Sequence, residues 1–164
     1  MGSGKSTHGR KLAKALNTES IDLDTYITQK LNKTIPEIFE QFGETFFREQ
    51  EHECIKELIA TKKEPCIISL GGGAVCFNDN MSLVKKAGLV IYLQTNERAL
   101  RQRLLSSKNQ RPLLKNMSEE EVLNFIKTKV KEREIFYNEA HIKVNGLNLT
   151  TVALIKAIEE YYKK

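Results

Sequence analysis

The chain has 164 residues, is 40% hydrophobic and 29% charged, and carries a net charge of +5. That composition describes one soluble domain with enough material for a full core, and no apolar run approaches the roughly 18 residues of a membrane span. The mild positive charge suits anionic small molecules and argues against nucleic acid, since no basic strip interleaved with aromatics is present.

The chain opens on Gly2-Ser3-Gly4-Lys5-Ser6-Thr7, most of the G-x-x-x-x-G-K-[ST] phosphate-binding signature. Small residues let backbone N–H groups wrap a phosphate, and the helix expected from Lys5 to Leu16 adds the positive end of its dipole. Lys5 would reach the β/γ-phosphates and the Ser6 hydroxyl would bind Mg²⁺. The alternative is a Gly/Ser turn that merely caps a helix. The full signature places its first Gly upstream of Met1, and the buried strand that normally feeds such a loop is missing. Either translation starts upstream, with Met1 internal to the loop, or a central strand is lacking.

Asn17 ends the first helix. Glu19 to Asp22 reads as a short strand, and Asp24 begins a helical piece. Thr34 is a good N-cap, with Pro36 in the first turn and Glu37 at the capping-box position. Ile35, Ile38, Phe39 and Phe42 follow at helical spacing, Gly43 breaks the pattern, and a longer helix runs from about Glu44 to Thr61. Cys66 to Leu70 is a buried apolar strand ending in Gly71-Gly72-Gly73. A short helix covers about Asn80 to Lys86, a second buried strand Leu89 to Leu93, and a basic helix Asn96 to Ser106. Ser107 to Met117 is polar, has no period and suits a mobile lid. Ser118, with Glu121 completing the box, caps a helix to Asn138. A last strand spans His141 to Val144 and a last helix Thr150 to Tyr162. Strands alternating with helices imply a three-layer α/β fold with a parallel sheet, which binds ligands at the carboxyl ends of its strands.

The remaining polar signals are few. Cys54, Cys66 and Cys76 are odd in number and lack metal-ligand spacing, as expected of reduced thiols in the cytoplasm. His8, His52 and His141 form no cluster in sequence. The glycosylation triplets at Asn32, Asn116 and Asn148 read as chance matches, because an apolar signal-peptide core is absent.

Several residues carry candidate chemistry. Asp22 and Asp24, two apart at a strand end, would place both carboxylates on one side, one near a metal and one near an attacking hydroxyl. The competing reading is a helix cap and a solvated charge. Arg48 and Glu51, three apart, share a helix face beside Phe46 and Phe47, which favours a partly apolar pocket over a surface ion pair. The triple glycine allows close approach of a ligand to backbone N–H groups, where a plain turn is the alternative. Val122, Ile126 and Val130 form an apolar stripe that continues to Arg133 and Tyr137. An arginine on that side needs an anion, either an internal carboxylate or a ligand held by its planar fork. Arg111 could meet phosphate charge from the lid.

Taken in order and spacing, these stretches resemble shikimate kinases over almost the whole chain. The match rests on Gly2 to Thr7, Asp22-Leu23-Asp24, Gly43-Glu44 through Phe47-Arg48 to Glu51, Ser69 to Gly73, Arg111-Pro112-Leu113-Leu114, and Arg133 with Tyr137. The resemblance implies a single kinase domain over residues 1–164 with a lid near 107–117. It implies a five-stranded parallel sheet in order 2-3-1-4-5, whose first strand is absent here, with helices on both faces. It implies transfer of the ATP γ-phosphate to the 3-hydroxyl of shikimate in aromatic amino acid biosynthesis, with Mg²⁺ as cofactor. By resemblance, Gly2, Ser3, Gly4, Lys5, Ser6 and Thr7 hold the phosphates, with Arg103 stacking on adenine and Arg111 reaching the transferring group. Ser6 and Asp22 serve the metal. Asp24 orients or deprotonates the acceptor hydroxyl. Arg48 and Arg133 grip the shikimate carboxylate with Gly71, Gly72 and Gly73, Glu51 holds Arg48, and Phe39 and Phe47 line the ring pocket. Lys5, Asp24 and Arg111 are the implied catalytic set. The implied partners are ATP and shikimate, with no nucleic acid, no membrane and a monomeric state. Two other readings are a related kinase for a different small molecule, such as gluconate, and a nucleotide-binding regulatory module without catalysis.

Overall fold

The computed structural model describes residues 2–105 and 117–163. Among the described residues, four strands and seven α-helices follow in order: α1 (Lys5–Ala15), β1 (Glu19–Asp22), α2 (Leu23–Leu31), α3 (Ile35–Thr61), β2 (Cys66–Ser69), α4 (Asn80–Ala87), β3 (Ile91–Gln94), α5 (Glu97–Leu105), α6 (Glu119–Tyr137), β4 (Ile142–Asn145) and α7 (Thr151–Tyr162). A 3₁₀ turn at Ala74–Cys76, not expected from sequence, follows the triple glycine.

The helix ends form where the side chains dictate. Thr34 and Glu37 make a reciprocal capping box at the start of α3, and Ser118 and Glu121 make another at the start of α6. Gly43 (φ 80°, ψ 177°) interrupts α3, a conformation that glycine adopts without penalty, so the long helix is two segments joined at a kink. Asp22, not Asp24, caps α2, its carboxylate accepting from the Thr25 N–H at 3.4 Å.

The strands form two parallel pairs. Glu19 to Asp22 of β1 register with Cys66 to Ser69 of β2, and Ile91 to Gln94 of β3 with Ile142 to Asn145 of β4. The pairs β1-β2 and β3-β4 are separate sheets. They match the flanks of the implied 2-3-1-4-5 order, and the place of its first strand falls between β2 and β3. A cavity of about 280 Å³ lies there, lined by Ile67, Leu70, Val90 and Tyr92 among others. The residues of β2 and β3 expected to be buried are mostly half-buried, because they line this cavity.

The core divides in the same way. Ile21, Leu23, Ile27, Ile38, Phe47 and Leu58 knit β1, α2 and α3 together. Leu100, Leu104, Val122 and Ile126 join α5 to α6, with Val130 packed against them as the stripe predicts. Helix α1 contacts β1, β2 and α7. Its Gly9 is buried so close to β2 that a Cβ there would stand 2.5 Å from the Ser69 Oγ. That Oγ donates to the Lys5 carbonyl at 3.3 Å. The carboxyl ends of β1 and β2 thus meet the start of α1, where the predicted site residues lie.

Candidate active site

The phosphate-binding end is built by backbone conformation. Gly2 and Gly4 have φ of 67° and 87°, and Gly4 leads directly into α1. Those left-handed residues curl the loop ahead of the helix N-terminus, where a phosphate meets the dipole and unpaired N–H groups. Lys5 projects across to both acidic candidates, its Nζ 3.7 Å from Asp22 Oδ2 and 3.9 Å from Asp24 Oδ2. The Ser6 hydroxyl donates to Asp22 Oδ2 at 2.5 Å. Burial pushes the Asp22 carboxyl upward, but the Ser6 hydroxyl, the Lys5 ammonium and the N–H groups of Thr25 and Asp24 outweigh it and hold the group below its ordinary range. The two carboxylates converge for a different reason from the strand spacing proposed: Asp22 ends β1, whereas Asp24 sits in the first turn of α2. Thr7 is exposed on α1.

Ser6 and Asp22 form a hard-oxygen pair beside Lys5, the donor type that Mg²⁺ takes when its other positions belong to water and phosphate oxygens. Among the described residues no group of three or more His, Cys, Asp or Glu side chains could hold a metal.

The second half of the site is arginine-rich. Arg48 donates through Nη1 to Glu51 Oε2 at 2.5 Å and through Nη2 and Nε to Glu44 Oε1 at 2.9 and 3.2 Å. Its guanidinium lies over the rings of Phe77 at 4.5 Å and Phe47 at 5.3 Å. Burial pulls the Arg48 pKa down, yet the two carboxylates more than reverse this and raise it. Glu51 is 1% exposed. Burial pushes its carboxyl up against the pull of Arg48. Phe47 is buried against Phe39, with ring centroids 4.8 Å apart.

The triple glycine passes between these groups. A Cβ at Gly71 would lie 2.7 Å from Glu51 Oε1 and 3.2 Å from Asp24 Oδ1, and one at Gly73 would lie 2.9 Å from Arg48 Nη1. At Gly71 and Gly73 the crowding comes from charged side chains of the region itself, so a side chain at either position would displace Glu51 or Arg48. Arg133 extends from α6 to the same region, and its charge acts on Glu51 and on Cys76. Among the described residues it makes no ion pair. Arg103 donates to the carbonyls of Gly2, Ser3 and Gly146 at 3.2 to 3.3 Å, placing it against the phosphate loop. Arg111 and nearly all of the expected lid lie outside the described residues.

Several contributors were not singled out in the sequence. Phe77 covers Arg48, and Asn78 donates to the Arg48 carbonyl at 3.2 Å. Asn80, fully buried, donates to the Ala74 carbonyl at 2.7 Å and lies 2.7 Å from His52 Nδ1. Their signal is weak because most of these contacts join elements about 30 residues apart, beyond any local spacing pattern.

The family model described as shikimate kinase matches residues 1–162. The chain belongs to the shikimate kinase family. A shikimate kinase from Bacteroides fragilis is 40% identical over 141 residues, spanning 86% of this chain and 78% of that protein. One from Flavobacterium johnsoniae is 42% identical over 151 residues, 92% of this chain and 87% of that protein. The crystal structure of the Bacteroides thetaiotaomicron shikimate kinase superposes with a TM-score of 0.90 at 34% identity, covering 100% of this chain and 94% of the other. The Acinetobacter baumannii shikimate kinase, solved in complex with shikimate, gives 0.79 at 34% identity over 99% and 88% of the two chains. Of the residues on which the resemblance rests, Lys5, Asp22 and Asp24 meet on one side of this region and Arg48, Glu51 and the glycine loop on the other.

Proposed function

We propose that this chain transfers the γ-phosphoryl group of ATP to the 3-hydroxyl of shikimate, as a step of aromatic amino acid biosynthesis. The observation that carries the reading is adjacency: Lys5, on the phosphate side, stands 3.9 Å from Asp24, on the acceptor side. Phosphoryl transfer depends on positioning and electrostatics, and a donor and acceptor held side by side meet that need.

In this reading the loop from Gly2 to Thr7 holds the phosphates through backbone N–H groups, and Lys5 neutralises charge on the moving group. Asp24 accepts the hydrogen bond of the attacking hydroxyl and orients it. Arg48 and Arg133 bind the shikimate carboxylate, and Phe39 and Phe47 support the ring pocket. Glu51 and Glu44 hold the Arg48 fork, so its geometry exists before substrate arrives. Arg103 steadies the loop at the nucleotide side. Ser6 and Asp22 would hold Mg²⁺, which supplies charge neutralisation on the phosphate oxygens when bound. The reading includes a single domain and a monomer in the cytoplasm. The free thiols of Cys54, Cys66 and Cys76 support that location. No helix among the described residues is long and apolar enough to cross a membrane.

The test is ADP release with and without shikimate, using gluconate as the control acceptor. Release that depends on shikimate is the expected result. Equal release with gluconate, or none with either from folded protein that binds ATP, would refute the assignment.

A further inference from the structure

The triple-glycine loop carries three carbonyls with three different anchors. Gly71 O accepts from the Ala74 N–H at 3.2 Å and Gly73 O from the Cys76 N–H at 2.9 Å, both within the loop. Gly72 O accepts instead from the hydroxyl of Tyr137, 65 residues away on α6. Among the described residues the N–H groups of Gly72 and Gly73 donate to nothing, so they remain available to a ligand.

A trans peptide points its C=O and its N–H in opposite directions within one rigid plane. The Gly71–Gly72 peptide is fixed locally, through Ala74. The Gly72–Gly73 peptide has its carbonyl gripped by Tyr137, so the Gly73 N–H faces away from α6. Gly73 abuts the Arg48 guanidinium.

Tyr137 is itself well held. Its ring stacks on Tyr92 with centroids 4.8 Å apart and planes 29° apart. A carbonyl can only accept, so the single proton of the hydroxyl goes to Gly72 O. Burial raises the phenol pKa despite Arg133, which keeps the proton in place at neutral pH.

We infer that Tyr137 is a positioning residue for acceptor binding: its hydroxyl fixes the Gly72–Gly73 peptide, so that the Gly73 amide and the adjacent Arg48 guanidinium are presented together to one substrate carboxylate. This rests on the assignment of the site to shikimate. Nothing in composition or periodicity separates Tyr137 from the end of an apolar stripe; its hydroxyl acquires a role only through the contact with Gly72.

The test is Tyr137→Phe in the full-length protein, which keeps the stacked ring and removes the hydroxyl. Loss of one buried hydrogen bond at a recognition site should raise KM for shikimate about five- to tenfold. Both kcat and KM for ATP should stay within about twofold. Amide NMR supplies a readout without turnover: the Gly73 resonance should shift and broaden more than that of Gly72. Unchanged KM for shikimate, in a preparation whose parent shows shikimate-dependent ADP release, would overturn the positioning role and leave the kinase assignment standing. Equal changes in both KM values with a lowered Tm would assign Tyr137 to packing and overturn it too. A parent with no shikimate dependence would remove the functional assignment, and this inference with it.

Discussion

Glu51→Ala is the substitution whose cost the structure defines most fully. Glu51 is 1% exposed and accepts from Arg48 at 2.5 Å, so its removal leaves a largely buried guanidinium without its inner partner. Breaking a fully buried pair by deleting one member costs about 3–5 kcal/mol. Arg48 is 14% exposed and keeps Glu44 on its outer side, which lowers the expectation to about 2–3 kcal/mol. For a domain of this size each kcal/mol moves Tm by about 2–4 °C, so a fall of roughly 5–10 °C is expected in a thermal melt. Adding Arg48→Met to that variant should recover part of the loss, because methionine brings no charge to bury. The same pair of melts with saturating shikimate should show less ligand stabilisation in Glu51→Ala, since Arg48 is no longer held in place. A Tm within about 2 °C of the parent, or no recovery in the double variant, would refute the claim that Glu51 exists to hold Arg48.

Asp24→Asn should abolish most turnover while ATP still binds, measured by ADP release and nucleotide titration; normal turnover would remove Asp24 from the acceptor side. Arg133→Ala takes away a guanidinium with no internal ion pair among the described residues, so Tm should barely change. Its KM for shikimate should rise about 10- to 100-fold, as expected for a lost charge-assisted contact, and an unchanged KM would contradict its role. Glu121 is held below the ordinary carboxylate range by the Ser118 N–H and hydroxyl. Its charge therefore contributes stability that is complete above about pH 4.3 and fades as pH falls through its lower folded value. Glu121→Gln should melt earlier than the parent at pH 7, with the gap closing towards pH 3; parallel curves over that range would show that the charge contributes nothing.

Local rules made much of this molecule legible in advance. The Thr34 and Ser118 boxes, the Gly43 break and the Val122 stripe are all short-range patterns, and each appears where the spacing places it. The resemblance carried the long-range part, bringing Lys5, Asp24, Arg48 and Arg133 into one region. Asp22 and Asp24 both lie beside Lys5, but not through strand alternation, because the chain turns into α2 between them. Phe77, Asn80 and Tyr137 act through partners 29, 6 to 28 and 65 residues away respectively, and no periodicity encodes such pairings. The strands β2 and β3 read as fully buried because their residues are apolar. Their actual exposure depends on what stands between them, which the composition of either strand cannot convey.

Gly9 has no functional group, yet it sets a length on which the chemistry depends. With only 2.5 Å between a would-be Cβ and the Ser69 Oγ, helix and strand are already at their closest approach. Lys5 lies four residues before Gly9 on α1, and Gly71 two residues after Ser69. A methyl group at position 9 would act as a shim, lifting the phosphate platform off the acceptor platform by a fraction of an ångström to an ångström or so. In-line transfer tolerates little slack of that kind. In the proposed reading, the spacing between the phosphate and acceptor sides is thus gauged from below, by the absence of a side chain at one turn of α1.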